Sequence, residues 1–105
     1  MYWLTSVSSV KVRLKVFPPF SNSSYPGEVF LEVNEDITVL ELLHVAAGKG
    51  LLKLDRVVKC SDGECSLGEG VVVLVNARNV EDLAGLKTKL SEGDRVAVMP
   101  VAGGG

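Results

Sequence analysis

Apolar and polar residues alternate in two segments near the start of the chain. Every second residue from Val10 to Val16 is valine or leucine, and the same period recurs from Val29 to Val33. The residues between the apolar positions are Lys11, Arg13 and Lys15 in the first segment and Glu28, Phe30 and Glu32 in the second. A period of two is typical of a strand with one buried face. Residues 17–27 are rich in Pro, Gly and Ser and favour turns, so we predict a hairpin with a long connection.

A helix is predicted to begin after Thr38. Thr38 and Glu41 have the spacing of a capping box, and Ile37 and Leu42 have that of a hydrophobic staple. Gly48 is expected to end the helix, because glycine adopts a left-handed conformation without strain. The apolar stripe expected to pack on the sheet is Val39, Leu42, Leu43 and Ala46.

The pattern weakens after the helix. Asp55–Lys59 is interpreted as a short strand and residues 60–70 as a glycine-rich loop. Val71–Val75 reads VVVLV without alternation, so we expect this strand either to be covered on both faces or to lie at the sheet centre.

The last third of the chain predicts a turn at Asn76–Asn79, a second turn at Glu92–Asp94 and a final strand at Arg95–Met99 ended by Pro100. Strands that precede and follow a single helix in the chain predict an α+β domain with the helix on one face of the sheet. We expect this domain to span residues 10–100, between a flexible extension at residues 1–9 and a flexible tail at residues 101–105.

Composition narrows the classes of function. The 105 residues are 47% hydrophobic, enough for one domain with its own core. A net charge of −2 argues against binding to nucleic acid phosphates, which needs a concentrated basic surface. No apolar run approaches the roughly 20 residues that span a bilayer, and Met1–Ser9 lacks the basic and apolar segments of a signal peptide. We therefore expect a cytoplasmic protein that binds neither nucleic acid nor membrane.

The chain ends on MPVAGGG, with three glycines shortly after the last predicted strand. Ordered glycines bury no side chain and lose more backbone entropy than any other residue. Such a tail either has no role or is gripped by a partner that binds bare backbone.

Two segments, VNARNV at residues 75–80 and EGDRVAVMPVAGGG at residues 92–105, resemble the end of the small subunit of molybdopterin synthase. That MoaD-like family, to which the thiamine sulfur carriers are related, has the ubiquitin-like β-grasp fold, a mixed sheet with one main helix on one face. The resemblance implies that an E1-like enzyme consumes ATP to adenylate the carboxyl group of Gly105. A sulfur donor then converts it to a thiocarboxylate, from which the large synthase subunit makes molybdopterin. The protein would hold no cofactor and would be a cosubstrate, not an enzyme.

The tail departs slightly from the family pattern of two prolines, a valine, a small residue and two glycines. Val101 stands in place of the second proline, and a third glycine is present. Alignment from Pro100 makes Gly104 and Gly105 the working pair, whereas alignment on the letters VAGG makes it Gly103 and Gly104. We prefer the first, because it preserves the reach of the tail from the strand. The tail residues are then Val101, Ala102, Gly103 and Gly104, with Gly105 as the attachment point.

The same C-terminal residues are also compatible with other functions. A ubiquitin-like modifier would end in an isopeptide bond between Gly105 and lysines of target proteins. A thiamine-type sulfur carrier would share the activation step, and a non-covalent β-grasp interaction module would leave the tail idle.

Other candidate chemistry is sparse. Cys60 and Cys65 are expected either to form a disulfide or to remain free thiols, and no further metal ligands are grouped near them, so we expect no metal site. His44 lies off the apolar stripe of the helix and is interpreted as a solvated or hydrogen-bonded side chain.

Partner docking is expected on the sheet face opposite the helix. Side chains alternate between the faces of a strand, and the fold implied by the resemblance makes the first and last strands parallel neighbours. The expected apolar patch contains Phe17, Phe30, Ala97 and Met99, with Pro100 at the root of the tail. We expect the basic side chains of the first strand to steer acidic partners; a bulge, or the long connection folding over Phe17, would remove the patch.

Overall fold

The computed structural model describes residues 8–22 and 27–101 of the chain. Its strands are β1 (Ser9–Val16), β2 (Glu28–Asn34), β3 (Val58–Ser61), β4 (Glu64–Leu67), β5 (Val71–Val75), β6 (Arg78–Asn79) and β7 (Arg95–Pro100). Its helices are α1 (Val39–Gly48) and α2 (Leu54–Val57), with short 3-10 turns at Val80–Asp82 and Gly85–Lys87. Among them, no helix combines the length and hydropathy needed to cross a membrane.

The main sheet has five strands in the order β2-β1-β7-β5-β6, and β3 and β4 form a separate two-stranded sheet. The β1–β2 pair is antiparallel, as the alternation predicts, with Lys11 opposite Glu32 and Lys15 opposite Glu28. In contrast, β1 and β7 are parallel. The sheet is therefore mixed, and the predicted α+β class with one main helix is confirmed.

The predicted capping box of α1 is present. The Glu41 backbone N–H donates to Thr38 Oγ1 at 3.2 Å, and the Thr38 backbone N–H donates to Glu41 Oε1 at 2.9 Å. The helix ends at Gly48 as predicted, with the Lys49 N–H still donating to carbonyl groups of the last turn, but Gly48 does not have the left-handed conformation expected for it. The left-handed residue is Gly50, with φ +77°.

The core lies between α1 and one face of the main sheet. The four residues of the predicted stripe on α1 are all buried, as are the inward residues of the strands that it covers. These strand residues are Val12, Leu14, Val16, Val73, Val96 and Val98. The parity predicted for β1 and β7 is thus confirmed, and their alternate side chains lie on the opposite side of the sheet, named here the open face.

Residues 54–67 differ from the prediction. The interpretation of Asp55–Lys59 as one strand is wrong, because α2 occupies its first part, and the predicted loop contains the β3–β4 hairpin. Asp62 and Gly63 form its two-residue connection, with φ of +53° and +80°. Positive φ at both central residues matches the right-handed twist of hairpin strands, and Asp-Gly is a favoured pair for it.

Both predicted turns in the last third are present. At the first, Asn76 and Ala77 have positive φ and connect β5 to β6. The Asn76 side chain ties this turn to the start of β7: its Oδ1 accepts from the Arg95 backbone N–H at 3.0 Å, and its Nδ2 donates to Asp94 Oδ1 at 2.8 Å. Strand β5 lies between β7 and β6, beside the central strand and not at the sheet centre itself, and its side chains are buried on one face and half-buried on the other.

Candidate functional site

The root of the tail lies in the middle of the main sheet. Strand β7 pairs with β1 on one side and with β5 on the other. Pro100 still pairs with Val71, and the Val101 backbone N–H donates to the Gly70 carbonyl oxygen at 2.9 Å. The prediction that Pro100 ends the strand after Met99 is therefore wrong, and Val101, the first predicted tail residue, is held by the sheet.

The backbone geometry explains why a proline is tolerated in β7. The Phe17 N–H donates to the Val98 carbonyl oxygen, and the Val101 N–H donates towards β5. Because backbone groups alternate sides along a strand, the nitrogen of Pro100 faces the side of β1. Strand β1 has already ended there at Val16, so no ladder hydrogen bond is lost.

Five half-buried apolar side chains share the open face near this root. Met99 is opposite Val72, and Ala97 is opposite Leu74. Phe17 follows Val16, the last β1 residue that pairs with β7, and so lies beside Met99. We name Phe17, Val72, Leu74, Ala97 and Met99 the tail-root patch. Three of the four residues predicted for the patch are thus brought together.

Phe30 does not belong to the tail-root patch. Its side chain is 63% exposed, as its parity predicts, but it is opposite Arg13 on the edge strand β2. Arg13 is level with Arg95 on β7, four residues before Met99. Given about 3.3 Å per residue and 4.8 Å per strand, Phe30 and Met99 are on the order of 15 Å apart. The prediction that Phe30 joins the patch is wrong. Alternation of side chains shows on which face of the sheet a residue lies, but not how far along the strands it lies.

Val72 and Leu74 complete the patch and were missing from the sequence prediction. Valine and leucine occupy every position of β5, so the pattern did not show which side chains face outward. In the structure Val71, Val73 and Val75 are buried, so Val72 and Leu74 are the side chains that face outward.

Two basic side chains, Lys15 and Arg95, border part of the tail-root patch. The Lys15 Nζ lies 5.0 Å from the centroid of the Phe17 ring, a distance at which a cation is attracted to the aromatic face. A depression of about 310 Å³ beside Ala97 is lined by Lys15, Leu74 and Arg95 and also by Glu28, so basic side chains outnumber acidic ones there. This arrangement fits a partner surface that carries apolar side chains together with carboxylates.

The remaining candidate residues lie elsewhere. Cys60 and Cys65 are directly opposite each other in the β3–β4 hairpin, outside the main sheet, and are joined by a disulfide, one of the two expected states. His44 is exposed on α1. In residues 8–22 and 27–101, His, Cys, Asp and Glu side chains form no group of three that could hold a metal ion. Ala102, Gly103, Gly104 and Gly105 lie outside the described residues, as do Met1–Val7 of the predicted extension.

Comparison with known proteins adds the family to this geometry. The profile of the ThiS family matches residues 22–105, which include the whole tail. A proposed sulfur carrier protein of Archaeoglobus fulgidus is 31% identical over 97 residues, which cover 92% of this chain and 99% of that protein.

Solved structures of known proteins have the same fold. SAMP1 of Haloferax volcanii, a small archaeal modifier protein, is 26% identical with a TM-score of 0.65, and the match covers 90% of this chain and 99% of that one. A chain of the BexX/CysO complex of Amycolatopsis orientalis is 26% identical with a TM-score of 0.67, again covering 90% of this chain and 99% of that one. The chain therefore belongs to the ThiS family of small sulfur carriers and ubiquitin-like modifiers, and it has their β-grasp fold.

Proposed function

We propose that this protein carries sulfur as a thiocarboxylate on Gly105. The observation that supports this role is the position of the tail: three glycines follow closely on a central strand whose end lies beside the tail-root patch. The carboxyl group is first activated as an acyl adenylate by an E1-like enzyme, with ATP as the co-reactant and pyrophosphate as the leaving group. A donor then supplies hydrosulfide, whose sulfur attacks the carbonyl carbon and displaces AMP, so that the thiocarboxylate remains and one proton is released. Because ATP is required, the proposed place of action is the cytoplasm.

The described residues give the sheet a defined part in this scheme. The hydrogen bond from Val101 to Gly70 holds the point from which the tail departs. A partner that covers the tail-root patch therefore finds Val101, from which the tail continues, in a fixed position. The partners provide the catalytic side chains, and this chain is the cosubstrate that they share.

The acceptor proposed for the sulfur is the pterin precursor bound by the large subunit of molybdopterin synthase. The resemblance of residues 75–80 and 92–105 to the small subunit of that enzyme supports this assignment. A thiamine-type role, in which a thiazole synthase takes the sulfur, is the alternative suggested by the ThiS family.

A second candidate function is protein modification. Similarity to SAMP1, a small archaeal modifier protein, favours it. In this reaction the ε-amino group of a target lysine displaces AMP from the same Gly105 adenylate and forms an isopeptide bond. Both functions use one activation step and differ in the nucleophile that follows.

Intact-mass measurement tests the shared activation step. The full chain is incubated with ATP, its E1-like enzyme and a sulfur donor, and we expect a mass gain that corresponds to exchange of one oxygen for sulfur. The variant that lacks Gly105 is the control and should gain no mass. Absence of the product, with an E1-like enzyme shown to adenylate another carrier, would contradict the proposal.

Transfer assays distinguish the acceptors. The thiocarboxylated protein is offered to the large synthase subunit with the pterin precursor and to a thiazole synthase, and the full chain with ATP and its E1-like enzyme is offered to a cell extract. Formation of molybdopterin supports the first assignment. Turnover only with the thiazole synthase, or only lysine-linked adducts in the extract, would replace it.

A further inference from the structure

Strand β2 forms one edge of the main sheet. The Arg13 and Phe17 N–H groups donate to carbonyl oxygens of Asp94 and Val98, so these β1 residues direct their backbone groups towards β7. Backbone groups alternate along a strand, so Val12 and Leu14 direct theirs towards β2, where they pair with Leu31 and Val29.

It follows that the backbone N–H and C=O groups of Glu28, Phe30 and Glu32 point away from β1, at the open edge of the sheet. In the described part of the chain, β2 pairs with β1 alone, and no backbone hydrogen bond outside the strands involves Glu28, Phe30 or Glu32. A row of open donors and acceptors of this kind is a template for another strand.

The side chains along this edge carry a distinct pattern. On the open face β2 presents Glu28, Phe30 and Glu32, and Phe30 is one of two large apolar side chains that are exposed in the described residues. Their neighbours on β1 show which chemistry complements them. Lys15 is opposite Glu28, Arg13 is opposite Phe30 and Lys11 is opposite Glu32. The Arg13 guanidinium carbon lies 5.0 Å from the centroid of the Phe30 ring.

A side chain on a strand can contact neighbours on both edges. We propose that the free edge of β2 binds an extended segment of a partner protein as an additional strand. The segment carries Lys or Arg at alternate positions, facing Glu28, Phe30 and Glu32, with apolar residues between them that extend the row of Val29 and Leu31. Strand β1, with the sequence VKVRLKV, already has this pattern on the other side of β2.

A second copy of the chain fits this edge less well. Antiparallel pairing of two β2 strands about Phe30 would place Glu28 opposite Glu32 at both ends, and like charges directly opposite each other are destabilising. The edge is also distinct from the tail root. Strand β1 separates β2 from β7, which places the two strands about 10 Å apart. The added strand therefore does not require the tail, and it goes beyond the sulfur-carrier role.

Peptide binding tests the proposal on the full chain. The probe is a fluorescent peptide of sequence VKVRLKV, with VEVELEV as the acidic control, titrated to millimolar protein. We expect the basic peptide to bind and Glu28→Lys/Glu32→Lys to weaken it about tenfold, because two attractive pairs become repulsive. The matched control Glu69→Lys/Glu81→Lys makes the same change in net charge at exposed sites outside β2 and should bind like the wild type.

Amide hydrogen exchange locates the peptide independently of the variants. Binding should slow exchange at Glu28, Phe30 and Glu32, and deletion of Gly105 should leave this protection unchanged. The proposal is overturned by absence of binding, by equal binding of the acidic peptide, by equal loss in both charge variants, or by protection on β5 or β7 instead. Self-association through β2 in sedimentation experiments would replace the proposed occupant by a second copy.

Discussion

The main sheet and the β3–β4 hairpin are held together by different means. In the main sheet the inward side chains of β1 and β7 are buried against α1, and Leu14 and Val98 are completely inaccessible. In the hairpin only Val58 is buried, while a positive-φ turn and the Cys60–Cys65 disulfide hold the strands in register. Stability of the first region depends on packing, whereas that of the second depends on local backbone geometry and a covalent bond.

The largest expected effect is on packing in the main sheet. Leu14→Ala should lower the free energy of unfolding by about 2–5 kcal/mol, because it removes buried surface and leaves a cavity. Leu67→Ala in the hairpin is the matched control and should cost well under half as much, because Leu67 is only partly buried. Urea denaturation of both variants measures the difference. Equal losses would show that the hairpin depends on packing as strongly as the sheet.

Removal of the Cys60–Cys65 disulfide is expected to have the next largest effect on stability. Cys60→Ser/Cys65→Ser should destabilise the protein by about 2 kcal/mol, the chain-entropy value for so short a loop. Reduction of the wild type should produce the same loss, and the reductant should leave the double variant unchanged. A loss as large as that of Leu14→Ala would contradict the local role of the cross-link.

The turn of the hairpin should show a smaller effect. Gly63→Ala is expected to cost about 1 kcal/mol because φ is +80° there, although no atom within 4 Å would meet the added methyl group. Gly48→Ala has equally open space and lies at the end of α1 without positive φ, so it should be neutral or stabilise by up to about 1 kcal/mol. Thermal unfolding measures both changes, and a steric clash contributes to neither because both sites have open space. Similar shifts in the melting temperature would show that the positive φ at Gly63 does not determine the cost of the substitution.

The smallest effect on stability is expected at the tail. Deletion of Gly105 should leave the melting temperature unchanged, because a terminal glycine has no side chain to bury, yet it should abolish activation by the E1-like enzyme. Scanning calorimetry together with the mass assay measures both. A lower melting temperature would mean that the tail contributes to the fold as well as to the chemistry.

The contrast between the main sheet and the β3–β4 hairpin also explains how much of the fold can be predicted from the sequence. The β1–β2 alternation and the capping box of Thr38 and Glu41 depend on residues close together in the chain, and both predictions are confirmed. Residues 54–67 were misinterpreted because their apolar residues are few and irregular. The Asp62-Gly63 pair was the available indication of a hairpin.

The candidate site was predicted in part for a different reason. Parity along β1 and β7 correctly assigned Phe17, Ala97 and Met99 to the open face. It could not give the height of Phe30, which depends on the pairing of β2 with β1. It also could not orient Val72, because the apolar sequence of β5 has no polar reference position.

The parallel pairing of β1 with β7 also has a consequence for folding kinetics. The two strands come from opposite ends of the domain, yet they lie side by side in the middle of the sheet. The chain must close one very long loop before its central strand pair can form, and long-range closure slows folding. The β3–β4 hairpin needs only a two-residue turn and can form much earlier. Strand β7 can pair earlier with β5, which is much nearer to it in the chain, but Phe17 joins the tail-root patch only when the long loop between β1 and β7 has closed.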